Sequence, residues 1–238
     1  MASITSEQAE QDDLIARALA AAEAVFNQDE ADVEVSEPSG RAAVEAAVRH
    51  LGVKYQQMPG IARKMMARSG DAAASLSSDP LQGLSEIIQN ADDLDASEVR
   101  FLLREGDLLA AHNGTGVMLP DLVTLATPWL TTKAEDAQAT GRFGIGLMTL
   151  RSLSPSLEIH SGDYHVRFGH PALAVADVIE IPSRFALAGW TVLRLPLEGG
   201  DLTIGALDEW LGEELLRGES GDRRERVQLG AGNLPPRP

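Results

Sequence analysis

Apolar and polar positions follow two periodicities along the chain. In residues 8–26, Leu14, Ile15, Ala18, Leu19 and Ala22 recur at helical spacing in an alanine-rich stretch, which predicts a helix. The acidic run after it closes on Pro38, Ser39 and Gly40, a linker composition. Residues 41–51 and 60–69 read as two short helices, and the paired Met65 and Met66 of the second read as core packing. In SSDPLQGLSEIIQNADD, Ser78 or Asp79 can cap, Pro80 fits a first helical turn, and the predicted helix runs to about Asp93. Residues 98–103 and 107–111 predict a strand pair turning at Glu105 and Gly106. Further strands are expected at 157–160, 164–168, 178–181 and 191–195, with a last helix over 204–216. The fold class expected is α+β, a layered sandwich with a mixed, mostly antiparallel sheet and helices on one face. Three parts follow: an acidic helix and linker (1–40), a main domain (41–216) and a flexible tail (217–238).

Composition adds a core and a charge. The 238 residues are 44% apolar, enough for one domain of ordinary size. Twenty Lys and Arg stand against 36 Asp and Glu, a formal charge of -16, which repels phosphate backbones and argues against a nucleic-acid partner. The first 40 residues carry ten acids against Arg17 alone. Residues 41–70 reverse the sign, with Arg41, Arg49, Lys54, Arg63, Lys64 and Arg68 against Glu45. That cluster can complement the acidic beginning of the same chain or meet an acidic partner. Cysteine is absent, so disulfides, thiolate metal sites and a cysteine nucleophile are excluded. No apolar run approaches the ~20 residues of a membrane span, and the start lacks a signal pattern. The expectation is a cytoplasmic protein that does not engage a membrane.

Candidate chemistry begins on the helix ending near Asp93. At about 100° per residue, Glu86, Asn90 and Asp93 share one stripe, while Leu81, Leu84, Ile88 and Ala91 lie opposite. The stripe is either a site or a solvated face of an ordinary amphipathic helix. Two glycine segments favour a site. His112-Asn113-Gly114-Thr115-Gly116 follows a predicted strand, where glycines let backbone approach a ligand. Gly141-Arg142-Phe143-Gly144-Ile145-Gly146 precedes a predicted helix, whose free N–H groups suit phosphate. No strand leads into the second segment, so a dinucleotide fingerprint is not met, and the Walker pattern is absent. His160, His165 and His170 are spaced by five; odd spacing along a strand alternates faces, so they are not expected to converge on a metal. Trp129, Trp190 and Trp210 read as packing residues, and Asp208, Glu209, Glu213 and Glu214 as a solvated helix face.

The segments SEIIQNADD, HNGTG, GRFGIG and AGWTVLRLPL occur in the order of the GHKL ATPases, and over residues 60–197 the chain resembles that superfamily. The wording is most similar to the heat-shock-chaperone branch, particularly sacsin-like ATP-binding domains. The resemblance implies the Bergerat fold, ATP and Mg²⁺ as ligands, and a nucleotide-driven lid over 117–140 that controls a protein partner. It implies that Glu86 is the general base polarising the attacking water and that Asn90 holds Mg²⁺. Asp93 falls near the adenine and ribose side. Gly114 and Gly116, with Gly141, Phe143, Gly144 and Gly146 and the intervening Arg142 and Ile145, match the two glycine boxes. Thr191 matches the threonine that helps recognise adenine. Lys133 is placed to reach a terminal phosphate or is a free lid lysine.

One position departs from the pattern. The superfamily's adenine-binding aspartate, two residues before the first box glycine, is His112 here. A neutral imidazole lacks the carboxylate's charge and second oxygen. Adenine recognition is therefore expected to be weaker or rearranged, with help from Asn113, or the site is degenerate. The expected function is an Mg²⁺-dependent ATPase module of the chaperone-like branch; the alternative is a non-hydrolysing nucleotide sensor or scaffold. Histidine kinase, gyrase-like and mismatch-repair functions are disfavoured, because neither a phosphoacceptor helix pair nor a transducer domain accompanies the motifs. The oligomeric state stays open.

Overall fold

A computed structural model describes residues 2–27, 35–75, 81–104, 106–127, 150, 153–154, 156–169, 172–197, 202–217 and 227–231. Four helices come first: α1 (Ala2–Phe26), α2 (Arg41–Gln57), α3 (Gly60–Ser75) and α4 (Gln82–Asp93). The hairpin β1 (Val99–Arg104) and β2 (Asp107–His112) follows, then α5 (Leu119–Ala126). Strands β3 (Leu157–Ser161), β4 (Tyr164–Gly169), β5 (Ala172–Val175) and β6 (Thr191–Pro196) precede α6 (Ile204–Arg217) and β7 (Val227–Ala231). All seven strands form one sheet in the order β5-β4-β3-β6-β2-β1-β7. Each pairing is antiparallel except β1 with β7. The fold is α+β, a two-layer sandwich with a mixed, mostly antiparallel sheet.

Alternation in the strands decides the layering. Val99 and Phe101 of β1, Leu108 and Ala110 of β2, Ile159 of β3, and Leu193 and Leu195 of β6 pack against Leu84, Ile87, Ile88 and Ala91 of α4 and Leu207, Trp210 and Leu211 of α6. Farther along the same face, Tyr164 and Val166 of β4 and Leu173 of β5 meet α1, α2 and α5. Gly52 lets α2 touch the edge strand β5, since a Cβ there would stand 2.5 Å from the Leu173 carbonyl oxygen.

Among the described residues, the opposite face carries no helix. Leu102, Leu109, Ala111 and Val192 are covered by the irregular segment 176–190 through Phe185, Ala186 and Trp190. Arg100 holds that segment by donating to the Arg184 and Phe185 carbonyls, and its guanidinium stacks on the Trp190 ring at 4.5 Å. Beyond it an ion-pair row crosses four strands: Arg194 bonds both Asp107 and Glu158, and Arg167 also bonds Glu158. Burial raises the Glu158 pKa, but hydrogen bonds from Arg194 and Arg167 outweigh it and hold the carboxyl below its ordinary range.

Several sequence expectations need correction. Residues 178–181 form no strand; they belong to the covering segment, where Arg104 donates to the Glu180 carbonyl at 3.3 Å. Residues 217–238 are not simply a flexible tail, because β7 pairs with β1 along its length. The first 40 residues are not a separate appendage: Ala18, Ala22 and Val25 are core residues. Glu23 bonds His50 and Lys54 of α2, so part of the basic cluster complements the acidic beginning within the molecule. Glu37 lies in the expected linker, yet it accepts hydrogen bonds from the Leu119 N–H at the start of α5 and from the Tyr164 hydroxyl. The cap of α4 falls on Leu81, while Ser78, Asp79 and Pro80 lie outside the described residues. Met66 packs on the second core, but Met65 is 64% exposed.

The histidine expectation also fails in part. His160 and His165 lie on adjacent strands joined through Gly162 and Asp163, and the β3–β4 register sets them opposite each other. Their Nδ1 atoms are 2.9 Å apart. His170 lies outside the described residues, and no group of three or more His, Asp or Glu able to hold a metal ion occurs among the described residues. Trp210 is a core residue and Asp208 and Glu209 are exposed, as expected; Trp129 and the side chains of Glu213 and Glu214 lie outside the description. Among the described residues, no helix is long and apolar enough to cross a membrane.

Candidate functional site

The amphipathic pattern of α4 is realised as its spacing predicts. Leu84, Ile88 and Ala91 are buried against the sheet, and Glu86, Asn90 and Asp93 lie on the less buried stripe. Glu86 and Asn90 are partly buried and Asp93 is exposed. Burial pushes the Glu86 carboxyl above its ordinary pKa, which makes the carboxylate a stronger base than a fully hydrated one.

The end of α4 is tied to the first glycine segment. The chain leaves the helix through Leu94 and turns at Asp95, a non-glycine residue at φ 57°. The Leu94 carbonyl accepts the Thr115 N–H at 2.9 Å. A Cβ on Gly114 would stand 2.6 Å from that carbonyl oxygen and 3.1 Å from the Ala96 Cβ, so only glycine fits. A Cβ on Gly116 would meet the Ser161 hydroxyl at 3.0 Å. The sequence suggests that these glycines make room for a ligand. In the fold, Gly114 makes room for the protein's own backbone, and this joins the last turn of α4 to the end of β2.

His112 ends β2 and is paired in register with Thr191, the first residue of β6. The β3–β6 register continues the row to Ser161. These three side chains are only 4%, 2% and 5% exposed and lie on the helix-side face. The Thr191 and Ser161 hydroxyls are 2.8 Å apart, and Ser161 also accepts the Val117 N–H at 3.1 Å. The Gly114 N–H donates to His112 Nδ1 at 3.3 Å. Burial lowers the His112 pKa to about 4, so its imidazole is neutral at neutral pH.

Asn113 is a correction. It was expected to help recognise a base, but its Oδ1 accepts the Ser97 and Glu98 N–H groups at 2.9 Å each, and its Nδ2 donates to the Ser97 hydroxyl at 2.7 Å. Its side chain fastens the loop into β1. Ser161 was missed altogether. Only the strand register brings it beside Thr191, and a serine at a strand end carries no chemical signal of its own. Lys133 and the segment Gly141, Arg142, Phe143, Gly144, Ile145 and Gly146 lie outside the described residues, as does the expected lid beyond residue 127.

The donor chemistry suits magnesium better than zinc. Mg²⁺ keeps most of its coordination to water and phosphate oxygens and takes one or two protein oxygens. The partly exposed carboxamide of Asn90, one turn from the Glu86 carboxylate, fits that demand.

The buried histidines make stability depend on pH. Burial lowers His112 to about 4; burial, then the neighbouring His165, lower His160 to about 4 as well. Both folded values lie below the ordinary 6.5, so the unfolded chain takes up protons first as the pH falls. Stability should be full above about pH 6.5 and fall toward pH 4, by on the order of 1–3 kcal/mol per histidine. Glu86 opposes the loss weakly, because its raised value favours the folded state on acidification. Urea unfolding at several pH values checks this: His112→Asn should flatten the slope between pH 6.5 and 4, and an unchanged slope contradicts the assignment.

No family profile matches the chain. One segment is similar to Protein NO VEIN of Arabidopsis thaliana, with 30% identity over 115 residues. The match covers 44% of this chain and 4% of that protein, so the similarity concerns a small part of a far longer protein.

Proposed function

We propose that the chain is an Mg²⁺-dependent nucleotide-binding module of the GHKL type, with ATP as the nucleotide the motif resemblance implies. Asn90 holds the metal through its amide oxygen. Glu86 takes a proton from the water that attacks the terminal phosphate. The bound metal supplies charge neutralisation on the phosphates. His112 and Thr191 meet the base, and the backbone around Gly116 closes the pocket edge. The sequence of the segment from Gly141 to Gly146, whose N–H groups suit the phosphates, supports the same reading. Nucleotide occupancy changes contacts to a protein partner. The observation that supports the proposal most is the joint between Gly114 and Leu94, which ties the segment after β2 to the residue that ends α4.

A second reading is a nucleotide sensor or scaffold that does not hydrolyse its ligand. His112 favours it, since a neutral ring replaces the charged acceptor the resemblance predicts. Thermal unfolding with saturating nucleotide, with and without Mg²⁺, tests what the two readings share. A ligand at 100 times its Kd stabilises the fold by about 2.7 kcal/mol. Both readings predict a higher melting temperature with nucleotide, larger with the metal; no shift with any nucleotide removes both.

A further inference from the structure

Two exposed helix faces of opposite charge stay apart within one copy of the chain. On α3, Ile61, Lys64, Met65 and Arg68 are all exposed, Ile61 at 69% and Met65 at 64%. Their spacing of three, four and seven residues sets them on one side of the helix. Met66 turns the other way and packs on the second core. No acid occurs between Glu45 and Asp71, and among the described residues neither Lys64 nor Arg68 has an ion-pair partner. The converse face is on α1. That helix packs on the second core through Leu14, Ala18, Ala22 and Val25, while residues 7–10, a full turn, are exposed on every side. Ala9, Asp12, Asp13 and Ala16 are exposed at the same spacing of three, four and seven, so they share one face as well. Asp12 and Asp13 are bonded to Gln8 and Arg17 of their own helix. Among the described residues no ion pair joins this face to α3.

We infer that the exposed face of α3 is a dimer interface that takes the acidic face of α1 from a second copy of this chain. Each copy gives its α1 to the other's α3. Two copies that each carry a charge of -16 repel one another, so contact is favoured where the local sign is opposite. The acid-free α3 face meets that condition, and the acids that complement it are on the same chain. Lys64 and Arg68 meet Asp12 and Asp13 of the second copy. Ile61 and Met65 lose water against the small side chains at Ala9 and Ala16, which let the two helices come close. A twofold arrangement makes every contact twice, because the pairing of α1 on α3 is returned by the other copy. Both uncovered faces of both copies are then satisfied together, which an unrelated acidic partner on α3 alone does not achieve.

Sedimentation velocity of the full chain over a range of concentrations tests this, with two charge-reversed variants. The first combines Lys64→Glu with Arg68→Glu; the second combines Asp12→Lys with Asp13→Lys. All four positions are exposed, so circular dichroism and the melting temperature should stay those of the wild type. The wild type should reach twice the monomer mass, and each variant alone should dissociate about tenfold or more readily. An equimolar mixture of the two variants should regain the dimer, because acidic α1 then meets basic α3 on one side and basic α1 meets acidic α3 on the other. Met65→Ser, which leaves every charge in place, should also weaken the dimer. A wild type that stays monomeric up to about 100 µM overturns the inference. So does a dimer that neither reversal weakens, or a mixture that stays monomeric. Binding of a monomeric wild type to phosphatidylserine vesicles, lost in Lys64→Glu with Arg68→Glu, overturns it too and assigns the face to an anionic membrane.

Discussion

Glu86→Gln is expected to slow nucleotide hydrolysis by about 10²- to 10⁴-fold, the usual contribution of a positioned general base. Nucleotide affinity should stay nearly unchanged. Glutamine keeps the shape of the side chain and its place on the less buried stripe of α4, but cannot take a proton from water. Because burial raises the Glu86 pKa, the wild-type rate should fall on acidification at a pH above the ordinary carboxylate range. The sign follows from the role: the base works only when ionised, so activity is full above its pKa and lost below it. The variant should lose that limb of the profile together with its activity. Equal phosphate release by wild type and variant, measured with the same Mg²⁺-nucleotide, would remove Glu86 from the chemistry and favour the sensor reading.

Gly114→Ala is expected to destabilise the fold by about 1–3 kcal/mol, the range of forced overpacking. It should also weaken nucleotide binding. The added Cβ meets the Leu94 carbonyl oxygen at 2.6 Å, and a backbone atom at a helix end cannot rotate away as a side chain can. Relief requires the turn at Leu94 to move away from the segment that follows β2. Gly116→Ala is the control. Its added Cβ meets the Ser161 hydroxyl at 3.0 Å, a small side-chain group able to yield, so the stability cost should be smaller. Urea unfolding of both variants, followed by nucleotide titration, reads the two effects separately. Equal, negligible costs at the two positions would contradict the proposed joint.

The amphipathic helix was the most legible part of the site. A strong division between apolar and polar faces forces Leu84, Ile88 and Ala91 inward, so the stripe of Glu86, Asn90 and Asp93 follows from spacing alone. The hairpin β1–β2 was legible for a similar reason, since a glycine at φ 78° sits where the chain must reverse. Strands β5 and β7 were not. Each is short, and β7 lies in a stretch rich in charge, glycine and proline; its pairing partner β1 is more than a hundred residues away. Residues 178–181 misled in the other direction. Val178, Ile179 and Ile181 have the composition of a strand, yet Arg100 and Arg104 tie that stretch across the face of the sheet instead of along an edge.

Register was the information the sequence lacked. His160 and His165 look divergent when counted along one strand and become neighbours across a tight hairpin. The row from His112 through Thr191 to Ser161 depends on two further registers, neither set by local spacing. Asn113 shows the converse error. A carboxamide beside a glycine box reads as a ligand contact until its partners at Ser97 and Glu98 are seen.

The central claim is that one end of the sheet and the last turns of α4 form a common nucleotide pocket. Backbone amide NMR spectra recorded while Mg²⁺-nucleotide is added locate binding residue by residue. Saturable shifts concentrated at Glu86 to Asp93, His112 to Val117 and Thr191, and abolished by Asn90→Ala, are the predicted result. No shift with any purine nucleotide, or shifts gathered on α3 or along the outer face of the sheet, would contradict it.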